Sequence, residues 1–278
     1  MTPSVSASGH SGARVPLLAN ALSLELGRLA TAPGTAEAVP TGFGDLDAIT
    51  GGMRPGQLWT ICGRSGVGKT VLALDLARSA TVRHSIPTLV LPRVQSPGEI
   101  ALKVLCAHGR LPLQAAANGR LSATELARAH EHLAALENAP LRLARPSAPN
   151  VPRPAPWNDG TSADDPPRIV VADDIPAGPD QQRHLLELAA FAAERRCTVI
   201  AVTQADLANP RQQLLVLEQH ADVSLLLVRH DQEKPTRSPT GAATLRVTRN
   251  RAGPVGTTAL DFLGYCATFR DTNQQQPR

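Results

Sequence analysis

Gly63-Arg64-Ser65-Gly66-Val67-Gly68-Lys69-Thr70 fits the pattern G-x-x-x-x-G-K-[ST], and its flanks decide how it reads. The apolar run Gln57-Leu58-Trp59-Thr60-Ile61-Cys62 precedes it, and the apolar-periodic segment Val71-Leu72-Ala73-Leu74-Asp75-Leu76-Ala77 follows. A strand that turns through glycines into a helix N-terminus aims several backbone N–H groups at one point, and the helix dipole adds to their field. In such a cradle Lys69 reaches the outer phosphates of a nucleotide, and Thr70 holds a magnesium ion. The bland alternative, a Gly-rich turn with a solvated lysine, leaves the rest of the octet unexplained.

Composition limits what surrounds this loop. The 278 residues are enough for one full core, with room for an extra segment. The chain is 42% hydrophobic but only 3% aromatic, which suits an Ala/Leu/Val-packed α/β domain and not an aromatic stacking platform. Lysine occurs at three positions, 69, 103 and 234, so arginine carries nearly all of the basic charge. The net charge of +4 is compatible with a polyanion partner without requiring one. Cys62, Cys106, Cys197 and Cys266 form no C-x-x-C pair and sit in apolar runs, the pattern of buried thiols. No apolar run is long enough to span a membrane and the N-terminus has no signal-peptide core, so a cytoplasmic protein is expected. His130-Glu131-His132 reads as helix surface, because neighbours on a helix point apart. Ser65 has no His/Asp partner at a motif distance, which gives nucleophilic catalysis no support.

The order of elements predicts one α/β domain with a mainly parallel central sheet flanked by helices. Residues 1–38 divide into a small, polar start and a leucine-rich helix over 15–31, a candidate clasp onto a neighbour. Strand, loop and helix run to about Arg83, and Thr88–Leu91 reads as a second buried strand. Ser96-Pro97-Gly98-Glu99 and Ser122-Ala123-Thr124-Glu125 are capping boxes that open helices to about His108 and Glu137. About residues 145–167 the chain carries seven prolines, the composition of a flexible insert. Ile169-Val170-Val171-Ala172-Asp173-Asp174 then reads as a central parallel strand whose tip faces the nucleotide. A helix over Gln181–Arg196 leads to the strand Thr198–Thr203, which ends at Gln204. Two or three strands between Asp222 and Phe262 close the domain, and 271–278 is left as a tail.

The segments Val39-Pro40-Thr41-Gly42-Phe43-Gly44-Asp45-Leu46-Asp47 and Gly51-Gly52-Met53-Arg54-Pro55-Gly56 resemble the entry of RecA-fold ATPases. In particular they resemble the C-terminal motor domain of DnaB-type replicative hexameric DNA helicases. Asn118-Gly119-Arg120-Leu121, Glu218-Gln219-His220-Ala221-Asp222 and Arg249-Asn250-Arg251-Ala252-Gly253-Pro254-Val255-Gly256 agree in order with that family, over residues 39–270. The resemblance implies a RecA-like P-loop NTPase that binds ATP and Mg²⁺, assembles as a homo-oligomeric ring and acts on single-stranded DNA through phosphate contacts. It implies roles as well: Asp173 as the aspartate that holds the metal, Gln204 as the γ-phosphate sensor, and Arg249 and Arg251 as basic residues reaching a neighbour's ATP.

The departures are equally specific. Where the family carries a water-polarising glutamate this chain reads Leu91-Pro92-Arg93-Val94-Gln95, so the position holds Arg93 or Val94. Asp174 is the nearest substitute base, with Arg93 expected to stand outside the chemistry; a polar strand-end residue is the plain alternative for Asp174. The connections after Asp173 and Gln204 are shorter than the family's, and some forty residues stand where it carries a primase-interaction domain. Two other readings therefore stay open: an ATP-binding switch or adaptor ring without efficient hydrolysis, and a recombination or regulatory ATPase of the RadA or KaiC kind.

Overall fold

The computed structural model describes Ser23 and residues 38–145, 166–203, 210–230 and 240–272. All of the expected clasp helix at 15–31 except Ser23, most of the proline-rich insert and Gln204 lie outside them. Helix α1 (Gly44–Thr50) precedes strand β1 (Leu58–Cys62), and the P-loop leads into α2 (Lys69–Arg78), which ends in a π turn (Ser79–Arg83). After β2 (Thr88–Leu91) come α3 (Pro97–Gly109), α4 (Leu113–Ala117), α5 (Ala123–Glu137) and β3 (Leu141–Leu143). Then β4 (Ile169–Ile175), α6 (Gln181–Arg195), β5 (Thr198–Thr203) and α7 (Pro210–His220) alternate. The strands β6 (Val223–Arg229), β7 (Thr240–Asn250), β8 (Gly256–Leu263) and β9 (Thr268–Asp271) follow.

These strands form one sheet in the order β3-β2-β4-β5-β1-β6-β7-β8-β9. The pairs from β3 to β6 are parallel, and β6 to β9 are joined antiparallel. A strand buried on both faces reads as a continuous apolar run, and β1 shows why. Trp59 and Ile61 enter one core with α2, while Leu58 and Cys62 enter the other, with Leu185 and Leu188 of α6. Alternate side chains point to opposite faces, so a single short strand ties both layers together. A smaller cluster of Cys106, Leu111 and Ala129 binds α3 to α5. Both capping boxes form as the sequence predicts: Ser96 Oγ accepts from Glu99 N and Ser122 Oγ from Glu125 N.

The structure departs from expectation at the short elements. The helix after the P-loop is α-helical only to Arg78, because the Thr81 hydroxyl takes the Ala77 carbonyl and the last turn widens into a π turn. The sheet gains two edge strands, β3 of three residues and β9 of four, too short to show a period. β9 carries the domain one residue past the expected boundary at 270. All four cysteines are buried and free.

Candidate nucleotide site

The P-loop is fixed by close approaches that exclude a side chain at two glycines. A Cβ on Gly63 would lie 2.6 Å from the Leu227 carbonyl oxygen of β6. Gly68 has φ +100°, a left-handed value, and a Cβ there would meet the Phe269 ring at 3.0 Å. Phe269 in turn packs on Phe262 with centroids 4.9 Å apart, and the Arg229 guanidinium lies 4.0 Å above the Phe262 ring. Val67 is buried and anchors the loop, whereas Arg64, Ser65 and Gly66 are exposed at its crest.

Lys69 opens α2 and folds back into the loop, donating from Nζ to the Gly63 carbonyl at 3.0 Å and the Arg64 carbonyl at 2.9 Å. Burial pulls its pKa below the ordinary lysine value, and Cys62, Asp173 and Asp174 pull it back up. The ammonium therefore stands at the site with its donors on weak, neutral acceptors, ready to exchange them for phosphate oxygens. Thr70 donates from Oγ1 to Asp173 Oδ1 at 2.9 Å. Asp173 is 4% exposed, and burial raises its pKa against the opposing Thr70 hydrogen bond. A hydroxyl and a carboxylate so close are the hard oxygen pair that magnesium takes from a protein when phosphates and water supply the rest. Thr70 and Asp173 fit such an ion.

The loop and the tip of β4 enclose a cavity of about 350 Å³. Residues beyond β2 complete it. Val94 and Gln95 line it, and Lys103 reaches in from α3 with its Nζ on Gln95 Oε1. Asp174 also lines it, in the left-handed conformation at φ +62° where the β4–β5 register shifts. Its carboxylate is 3.0 Å from Arg93 Nη2, and Arg93 Nε donates to its carbonyl at 2.9 Å. The arginine, expected to stand outside the chemistry, thus holds the candidate base by its carboxylate and by its backbone carbonyl. Neither Arg93 nor Val94 brings a carboxylate.

The two remaining arginines lie at the other end of the sheet. Arg249 pairs with Ser224 at the start of β6 and donates from Nε to the Ala221 carbonyl at 2.8 Å. Arg251 opens the β7–β8 turn, with its guanidinium 3.0 Å from Asp222 Oδ1 and its N–H on the Asp222 carbonyl at 2.8 Å. Asp222 Oδ2 also accepts from Leu58 N at 2.9 Å, so one carboxylate joins the starts of β1 and β6 to the hairpin. β1 and β6 run parallel from that end to the P-loop, about 13 Å further on at 3.3 Å per residue. The pair is thus not gathered with Lys69, Thr70, Asp173 and Asp174. β5 stops at Thr203, the residue before Gln204.

Sequence reasoning missed Lys103, Gln95, Phe269 and the clamping role of Asp222. Lys103 alone carried a signal, as one of three lysines in an arginine-dominated chain.

Fold and loop together define a RecA-like P-loop nucleotide-binding domain. Its likeness to known proteins is specific. Residues 38–152 match the family model described as DnaB-like helicase C terminal domain. The replicative DNA helicase DnaB of Leifsonia xyli subsp. xyli (strain CTCB07) is 28% identical over 268 residues, covering 86% of this chain and 57% of that protein. Its counterpart in Geobacillus stearothermophilus is 23% identical over 247 residues, covering 81% and 54%. The chain thus spans a little over half the length of these relatives. Among solved structures, the ATPase domain of G40P superposes with a TM-score of 0.74 at 20% identity, covering 94% of this chain and all of that one. A DnaB-like replicative helicase, solved for its interactions with primase, gives 0.73 at 20%, covering 91% and 68%. The resemblance read from the sequence is borne out as a likeness: residues 38–152 match the DnaB-like helicase domain, and the fold is that of a solved helicase ATPase domain.

Proposed function

We propose that this chain binds Mg-ATP and hydrolyses it as a ring-forming motor domain acting on single-stranded DNA. The observation that carries the reading is the joint presentation, in one cavity, of Lys69, the Thr70–Asp173 oxygen pair and Asp174. Lys69 exchanges its loop carbonyls for β- and γ-phosphate oxygens. Thr70 and Asp173 would hold the magnesium ion, which would supply charge neutralisation to the phosphates. Lys103, on the opposite wall, adds positive charge beside Asp173. Asp174 accepts the proton of the attacking water once it leaves Arg93. Arg249 and Arg251 lie on the far side of their own sheet, which suits them to a neighbouring subunit's ATP.

A second reading is favoured by the Arg93–Asp174 ion pair and by Val94, 74% exposed where the family's glutamate is expected. In it the ring binds ATP and switches without efficient turnover. Steady-state phosphate release with and without single-stranded DNA separates the two. Turnover accelerated by DNA supports the motor, and tight ATP binding with no turnover refutes it in favour of the switch.

A further inference from the structure

At the far end of α2 from the P-loop lies a second cavity, of about 300 Å³, walled by the π turn, the end of α3 and strand β9. Its charged lining is dominated by arginine: Arg78, Arg83, Arg110 and Arg270, with His108 between them. We propose that this cavity binds a small phosphorylated anion, with Arg83 and Arg110 as its principal contacts, at a site separate from the P-loop.

The charge balance supports this. Two carboxylates line the cavity, and both are engaged. Asp75 is wholly committed to protein partners: it accepts from Arg78 Nη2 at 2.8 Å, Thr268 Oγ1 at 2.7 Å and Phe269 N at 2.7 Å. Asp271 Oδ2 accepts from Gly44 N at 2.8 Å. Arg270 is paired outward with Asp261 at 3.0 Å. That leaves Arg83 and Arg110, both exposed, whose guanidinium groups make no ion pair or hydrogen bond with the described residues. Two guanidinium groups lining one cavity thus lack the acceptors their planar forks are shaped for.

A second, independent observation points the same way. Ser79 is 6% exposed and lines the cavity, and its Oγ has no hydrogen-bond partner among the described residues; nor has Arg78 Nε. Buried polar atoms are ordinarily satisfied, so an unmet hydroxyl and an unmet guanidinium N–H on residues lining one cavity mark a place for an acceptor. The π turn sets this up, because it places Arg78, Ser79 and Arg83 together on the wall, and such turns recur at functional sites. His108 senses the same field: burial first, then Arg78, His132 and Arg83, push its pKa down. The cavity also shares Phe269 with the P-loop, since that ring backs Gly68. An occupant therefore touches a residue that shapes the nucleotide cradle.

The test is calorimetric titration of the full chain with pyrophosphate, without magnesium. Two classes of site are expected, because pyrophosphate also fits a P-loop. Lys69→Ala should remove one class and leave the other. Arg83→Ala/Arg110→Ala should weaken the second at least tenfold and leave the first. Both arginines are exposed, so the double variant should keep the wild-type melting temperature. A single class of site in the wild-type chain, insensitive to Lys69→Ala but abolished by the double change, supports the cavity and counts against the phosphate cradle instead. Survival of the second class in the double variant overturns the proposal, as does absence of all binding in Lys69→Ala. Displacement of pyrophosphate from that class by an unphosphorylated oligothymidylate would assign the cavity to nucleic acid and overturn the small-anion reading.

Discussion

Releasing Asp174 from Arg93 is the most informative perturbation the site offers. The guanidinium is 37% exposed and the carboxylate 21%, so the ion pair is only partly shielded from water. Pairs of that kind contribute about 0.2–1 kcal/mol, and a charge-assisted geometry such as this one extends the range to about 2 kcal/mol. If Asp174 must leave Arg93 to accept a proton from water, that energy is part of the barrier. Arg93→Ala should then raise the turnover number about 1.4- to 30-fold, by the tenfold-per-1.4 kcal/mol rule. The carbonyl contact from Arg93 Nε, at 2.9 Å, holds the backbone and does not enter the count. The assay is phosphate release at saturating Mg-ATP for wild type, Arg93→Ala, Asp174→Asn and the double variant. The reasoning requires the double variant to be as slow as Asp174→Asn alone. Should Arg93→Ala be unchanged or slower while Asp174→Asn turns over normally, Asp174 is not the base, and the switch reading gains.

Further outcomes follow from the same geometry. Lys69→Ala should weaken ATP binding by an order of magnitude or more, and calorimetry showing wild-type affinity in a folded variant would remove the phosphate cradle. Asp173→Asn should melt higher than wild type at neutral pH without nucleotide, because it deletes a buried charge while its amide oxygen can still accept from Thr70. Burial raises this carboxyl's pKa, so the native state favours the protonated form: its contribution is full below the unfolded value and is lost as pH rises through the folded one. The advantage of Asp173→Asn should therefore shrink as pH falls toward 3.8, and an advantage that grows on acidification contradicts the assignment. Binding to single-stranded DNA should weaken steeply with salt and show little base preference; salt-insensitive or sequence-selective binding counts against arginine–phosphate contact. Activity should rise with protein concentration, and Arg251→Ala mixed with Lys69→Ala should recover some turnover that neither has alone. A dilute subunit with a constant specific rate would remove the trans arginine.

The sequence makes legible what a long period or a fixed motif carries. β1, β2, β4 and β5 follow from apolar runs buried on both faces, and α3 and α5 from reciprocal Ser/Glu caps. The phosphate loop follows from its glycines and its flanks. What stays hidden is whatever depends on contacts distant in sequence. Lys103 is one helical residue among thirteen until α3 folds against β4. Arg93 and Asp174 stand 81 positions apart, and no local pattern announces that they meet. Phe269 sits on a four-residue edge strand, yet its ring crowds the space beside Gly68. The π turn is hidden for another reason: Ser79–Arg83 keeps helical propensity, and one threonine hydroxyl on a carbonyl decides how the helix ends.

The two ends of the sheet divide the chemistry. The C-terminal ends of β1 and β4 gather the residues proposed to bind phosphate and metal, where open parallel sheets place their ligands. The opposite end carries Asp222, which spends both carboxylate oxygens and its carbonyl joining β1, β6 and the arginine-bearing hairpin. An arginine held there is out of reach of its own ATP, yet its position is coupled to the strand that leads into its own P-loop. Movement of β1 on nucleotide binding would be transmitted through Leu58 and Asp222 to Arg251, the residue proposed to reach another subunit. Asp222→Ala separates that coupling from catalysis: it leaves every P-loop atom in place and frees both the Leu58 N–H and the Arg251 guanidinium. Unaltered ATP affinity with lost dependence of turnover on protein concentration is the expected signature. Affinity and concentration dependence that both stay at wild-type values would show that the hairpin does not report on the nucleotide.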